Sequence, residues 1–71
     1  MKYDYPQPCK FEVGCKVMWY YYEKESDAKK ASKIAIKHGA YKASQGFDFG
    51  YQSVGSINYL ESEKMYVVVL P

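Results

Sequence analysis

The sequence predicts an α+β fold: a two-layer domain with one amphipathic helix packed on a mainly antiparallel sheet of three to four strands, in the order strand–helix–strand–strand. Three observations carry this. Helical periodicity is confined to residues 26–39. The aromatic and β-branched runs around it have strand length and strand alternation. Gly, Ser and charged clusters punctuate those runs. A chain of 71 residues has room for one small domain, 1–71, with 1–9 as an extended N-terminal arm.

The arm, "MKYDYPQPC", holds two prolines and no clear period. "KFEV" (10–13) alternates, with Phe11 and Val13 on one side, and Gly14 breaks it, which predicts a short strand or hairpin arm. "KVMWYYYE" (16–23) is the first full strand. Val17, Trp19 and Tyr21 point one way and Met18, Tyr20 and Tyr22 the other, so both faces are apolar. "SDAKKASKIAIKHG" (26–39) is the helix, with Ser26 as N-cap, Asp27 at the positive end and Gly39 as its stop. Ala28, Ala31, Ile34, Ala35 and His38 share one face, and Lys29, Lys30, Lys33 and Lys37 the opposite one. "AYKASQ" reads as a connection. "FDFGYQS" (47–53) alternates as a strand, Gly55-Ser56 interrupts it as a turn or bulge, and "INYLE" (57–61) resumes. After a polar turn (62–64), "MYVVVL" (65–70) is the last strand, apolar on both faces.

Composition bounds the function. Apolar residues are 48% and aromatics 18%, which excludes disorder. A net charge of +2 is too small to imply a nucleic-acid or membrane partner by itself. No apolar run approaches a membrane span, and residues 1–8 are polar, aromatic and proline-containing, unlike a secretory leader; the expectation is a cytoplasmic protein. All ten basic residues are lysine and nine residues are tyrosine, a usage that suits an AT-rich coding sequence and a phage, a virus or an AT-rich bacterium as source. Cys9 and Cys15 make at most one bridge and, with His38 as the one histidine, fall short of a zinc site; two free thiols are expected.

Two motifs look like chemistry. Asp48-Phe49-Gly50 and "IAIK" (34–37) spell kinase signatures, but the kinase lysine needs a strand where Ile34–Lys37 are helical, and its catalytic loop needs an arginine that the chain lacks. "QGFDFGYQ" resembles the aromatic strand of RNA-recognition motif domains at Gly46, Phe47 and Phe49. It departs from that pattern at Gln45, Asp48, Gly50 and Gln52, and the residues after it leave no room for that fold's second helix; no family is assigned on it. No nucleophile–base pair, paired carboxylates, phosphate loop, metal cluster or cofactor motif is present, so a non-enzymatic protein is expected.

What stands out is a mismatch. One alanine-faced helix covers one side of a sheet whose strands 16–23 and 65–70 are apolar on both. An uncovered apolar face is an interface signal. Self-association is the first expectation, cover by the N-terminal arm the second and an unidentified protein partner the third. The expected interface or ligand face is Met18, Tyr20, Tyr22, Phe47, Phe49, Tyr51 and Tyr66. The same aromatic face would let a single-stranded nucleic acid stack its bases, which is the alternative reading. An open edge on the final strand, 65–70, is a further route to association.

Overall fold

The computed structural model describes residues 3–46 and 54–71. Their elements are β1 (Lys10–Val13), β2 (Met18–Tyr22), α1 (Glu25–Ser44), β3 (Ile57–Leu60) and β4 (Met65–Leu70). The strands form one antiparallel sheet in the order β1-β2-β4-β3, and α1 lies across it. The smallest extent of the molecule is 15 Å, the thickness of one helix on one sheet. The architecture is the expected α+β two-layer fold. The expected strand over 47–53, with Phe47, Phe49, Tyr51 and the Asp48-Phe49-Gly50 triplet, lies outside the described residues.

Two hairpins make the sheet. Cys15 and Lys16 connect β1 to β2, and the Gly14 amide donates to the Val17 carbonyl at 2.8 Å to close the turn. The β3–β4 turn spans 61–64. Its Lys64 has a φ of 54°, an unusual left-handed position for a residue other than glycine. The two strands that are apolar on both faces, β2 and β4, pair with each other at the centre. The final strand is therefore interior, and the expected open edge at 65–70 does not exist. The edges are β1 and β3.

The helix is longer than its periodicity predicts. It begins at Glu25, with Lys24 in the N-cap position and no side-chain cap, so Ser26 is inside the first turn. It runs through Gly39 and "AYKAS" to Ser44. Gly39 is buried mid-helix because Val54 crosses there: a Cβ on Gly39 would sit 3.1 Å from Val54 Cγ1. The stop is Gly46, whose φ of 89° supplies the left-handed turn after the helix. Ala28, Ala31 and Ala35 are fully buried and let α1 approach the sheet closely. They pack with Tyr22, Val68 and Leu70 as the core.

The second interruption reads as expected. The Gly55 amide donates to the Val69 carbonyl and the Val69 amide to the Ser56 carbonyl, so two residues oppose one in a bulge. Gly55 has a φ of 91°, and a Cβ there would meet Ile36 Cγ1 at 2.6 Å. The Ser32 hydroxyl donates to the Gly55 carbonyl and ties the bulge to the helix.

Candidate interaction surface

Register decides which side chains share a face. Phe11 opposes Tyr20, Tyr20 opposes Val68, and Val68 opposes Ile57. These residues lie on the helix side, together with Met18, Tyr22, Tyr66 and Leu70. Four of the seven residues expected to form an interface, Met18, Tyr20, Tyr22 and Tyr66, are thus brought together beneath α1. Tyr22 is 1% exposed, and the other three are half-buried against the core. Phe47, Phe49 and Tyr51 are outside the described residues. The helix covers this face, its alanines leaving room for tyrosine rings under it.

The arm completes that cover. Its residues 3–8 turn back from β1 onto the helix side. The Tyr22 hydroxyl donates to the Pro6 carbonyl at 2.8 Å. Tyr5 stands edge-on to Tyr20, with centroids 5.9 Å apart, and its hydroxyl lies 3.0 Å from His38 Nδ1. Tyr3 stacks on the His38 ring at 4.4 Å. Burial raises Tyr5 to about 12, and burial followed by the nearby Lys42 charge lowers His38. Both shifts favour the neutral forms that this hydrogen bond uses. His38, expected on the apolar face of the helix, is the post on which the arm is fastened.

The opposite face carries no helix or arm among the described residues. Its central residues are nonetheless covered. Val17, Tyr21, Val67 and Val69 are each buried. The Trp19 ring passes over Gly14, where a Cβ would come within 2.6 Å of it. The Lys10 ammonium sits 4.6 Å from the Tyr21 ring centroid and also pairs with the Glu63 carboxylate. The Tyr21 hydroxyl donates to the Glu12 carboxylate, and that bond, with burial second, raises Tyr21 to about 12. The apolar surplus of the sheet is therefore absorbed largely within the chain.

Five large apolar residues are exposed among the described residues: Ile36 and Tyr41 on α1, Tyr59 on β3, and Phe11 and Val13, which lie together on β1. All four of its residues are exposed, with Phe11 at 58% and Val13 at 69%. β3 differs: Ile57 and Leu60 are half-buried, its start is bent by the Gly55–Ser56 bulge, and Tyr59 leans on Tyr66 with centroids 4.8 Å apart. A hollow of about 230 Å³ adjoins the exposed strand, between the β1–β2 turn and the end of α1, lined by Val13, Cys15, Met18, Lys42 and Pro71 among others. Cys9 and Cys15, on either side of β1, are free and exposed. The sequence signal for this edge was present in "KFEV", where apolar and charged residues alternate so that only one side of the strand is apolar.

Among the described residues no three His, Cys, Asp or Glu side chains are grouped to hold a metal. No helix among them is long and apolar enough to cross a membrane. The chain matches no family model, no curated protein and no solved structure.

Proposed function

We propose that this is a small non-enzymatic protein that acts through protein–protein contacts and works as a homo-oligomer. The observation that carries the reading is the bare edge strand β1, with Phe11 and Val13 more than half exposed on a sheet whose remaining apolar residues are mostly packed. An open, apolar edge strand is a ready template for pairing with another chain; β1 holds no proline, and its one irregularity is at its start, where the Cys9 amide also donates to the Tyr21 carbonyl opposite Lys10. The lysine-only basic composition supports an AT-rich phage or viral source, and a cytoplasmic setting suits the two free thiols.

The alternative, a single-stranded nucleic-acid binder stacking bases on the aromatic face, would require Tyr20 and Tyr22 to leave the layer under the helix and arm. Sedimentation equilibrium at rising micromolar concentration tests the proposal. A multiple of 8.2 kDa that persists in moderate salt supports it. A constant 8.2 kDa with a folded spectrum overturns it. Tight binding of a labelled oligonucleotide that collapses with added salt would favour the alternative.

A further inference from the structure

The backbone of β1 shows how a second chain would dock. In an antiparallel ladder, hydrogen-bonded pairs alternate with non-hydrogen-bonded ones. The Gly14 amide bonds to the Val17 carbonyl, which marks that pair as hydrogen-bonded. Counting back along the register, Glu12 with Trp19 and Lys10 with Tyr21 are the other bonded pairs. Phe11 and Val13 therefore turn their N–H and C=O groups away from β2, toward the open edge. The same two residues carry the exposed apolar side chains, on the helix side, while Lys10 and Glu12 alternate with them on the opposite side.

We infer that the occupant of this edge is a second copy of the chain, paired β1 to β1 about a two-fold axis at Phe11. The inference rests on the self-association proposed above and adds its surface and register. Charge selects the register. With the axis at Phe11, the two Phe11 residues face each other and exchange both backbone hydrogen bonds. Lys10 then stands opposite Glu12 of the other copy, twice. With the axis at Glu12, the backbone geometry is also permitted, but the two Glu12 carboxylates face each other, which is destabilising. With the axis at Lys10, two ammoniums do the same. An axis at Val13 runs the pairing off the strand into the Cys15–Lys16 turn.

The product is a continuous eight-stranded sheet in the order β3-β4-β2-β1-β1-β2-β4-β3, with both helices on one side. Phe11 and Val13 of the two copies then form one apolar floor between those helices. β3 offers no comparable choice, since Ile57–Leu60 carries no charge to fix a register. Pairing through four residues per chain buries less than the roughly 1,200 Å² of a standard stable interface, so the dimer should form in about the micromolar range.

A charge exchange tests the register, with association followed by sedimentation and by energy transfer between differently labelled chains. Lys10→Glu places carboxylates opposite carboxylates at both contacts, and Glu12→Lys places ammoniums opposite ammoniums. Each variant alone should associate about tenfold more weakly than the parent. Mixed in equal amounts they should pair with each other, because one chain then brings two carboxylates and the other two ammoniums. Circular dichroism checks that each variant is folded. Val13→Pro gives a second reading should either fail to fold: it removes an outward N–H while leaving the β1–β2 bonds intact, and it should weaken association as well. A parent that self-associates while the mixture stays unpaired, or while Val13→Pro has no effect, overturns this edge and leaves self-association standing. A parent that remains a monomer at every concentration overturns both.

Discussion

The two faces of this sheet are buried by different means. On the helix side the cover is a backbone element: three alanines bring α1 close, and the arm adds Tyr3 and Tyr5 where the helix does not reach. On the other side no helix or arm lies among the described residues; there the Trp19 ring lies by Gly14 and the Lys10 ammonium over the Tyr21 ring. Both leave the central valines with little accessible surface; Val68 is 0% exposed and Val67 and Val69 are 7%. Accessible area alone does not tell a packed layer from a thin one. Packing does, because a buried ring between two backbone layers has contacts on every side and a ring under one lysine does not.

The largest expected effect separates the two faces directly. Tyr22→Ala removes the largest of the fully buried side chains and the hydrogen bond to Pro6. It should cost about 3–5 kcal/mol, enough to unfold most chains of this size. Trp19→Ala deletes an even larger side chain, but a half-buried one with solvent above it, and should cost about 1–2 kcal/mol. Urea titration of both variants measures the difference. Equal losses would mean that the two covers are equivalent.

Next in size is the tightness of the helix layer. Ala35→Phe forces a ring into a site with no exposed surface and should cost about 1–3 kcal/mol. Lys30→Ala, on the outer side of α1, should change stability by less than about 0.5 kcal/mol. Coincident melting curves for these two would put the wrong side of α1 against the sheet.

That contrast was legible in the sequence, since the spacing of Ala28, Ala31 and Ala35 fixes the buried side of the helix from local periodicity. Its ends were not. Gly39 and Gly46 are equally good stops on composition. Only the crossing of Val54 over Gly39 makes the first a packing glycine, and that is a long-range contact. The strand order was not legible: the apolar final strand reads as an open edge as readily as a central strand, and only its long-range pairing with β2 puts it in the interior. Of the expected interface residues, Met18, Tyr20, Tyr22 and Tyr66 lie on the side that the helix takes. Alternation tells that Met18, Tyr20 and Tyr22 share a face; it does not tell which face the helix takes.

High pH sharpens the comparison, because one tyrosine on each face is raised to about 12 for a different reason: Tyr5 by burial under the helix layer, Tyr21 by its hydrogen bond to Glu12. Both folded values lie above the ordinary 10.0, so folding favours the neutral phenol. That stabilisation is complete below pH 10 and is lost as pH climbs from 10 toward about 12. Glu12→Gln should bring the Tyr21 transition back toward 10 and leave the Tyr5 transition where it is. Spectrophotometric titration of tyrosinate in the parent and in Tyr5→Phe, Tyr21→Phe and Glu12→Gln resolves the two. If Glu12→Gln leaves every transition in place, Tyr21 owes its shift to burial and the far face is deeper than described.

The smallest expected effect belongs to the arm. In the neutral imidazole with its proton on Nε2, His38 Nδ1 accepts the Tyr5 hydroxyl, and the flat Tyr3 ring covers the same imidazole. The groups around it are Tyr3 and Tyr5 from the arm and Lys42 one turn along α1, with Tyr41 reached through Tyr3. None of these described groups is acidic, and burial, with Lys42 second, holds the ring below the usual 6.5. A base held below its unfolded value contributes stability that is complete above pH 6.5 and declines as pH falls from there toward the folded value. Protonation places a hydrogen on Nδ1, where the Tyr5 hydroxyl donates, and charges a ring that burial and Lys42 both keep neutral. Mild acid should therefore loosen residues 3–8 before it touches the core, and the loss should be small because His38 is only half-buried. Proton NMR of the His38 ring, followed alongside hydrogen exchange in the arm and in β4, gives both halves of the test. The ring should titrate below 6.5, and the arm should open with that transition while β4 stays protected. A midpoint at or above 6.5, or an arm whose exchange ignores it, would show that Tyr3 and Tyr5 are held by the sheet alone and that His38 is a bystander on α1.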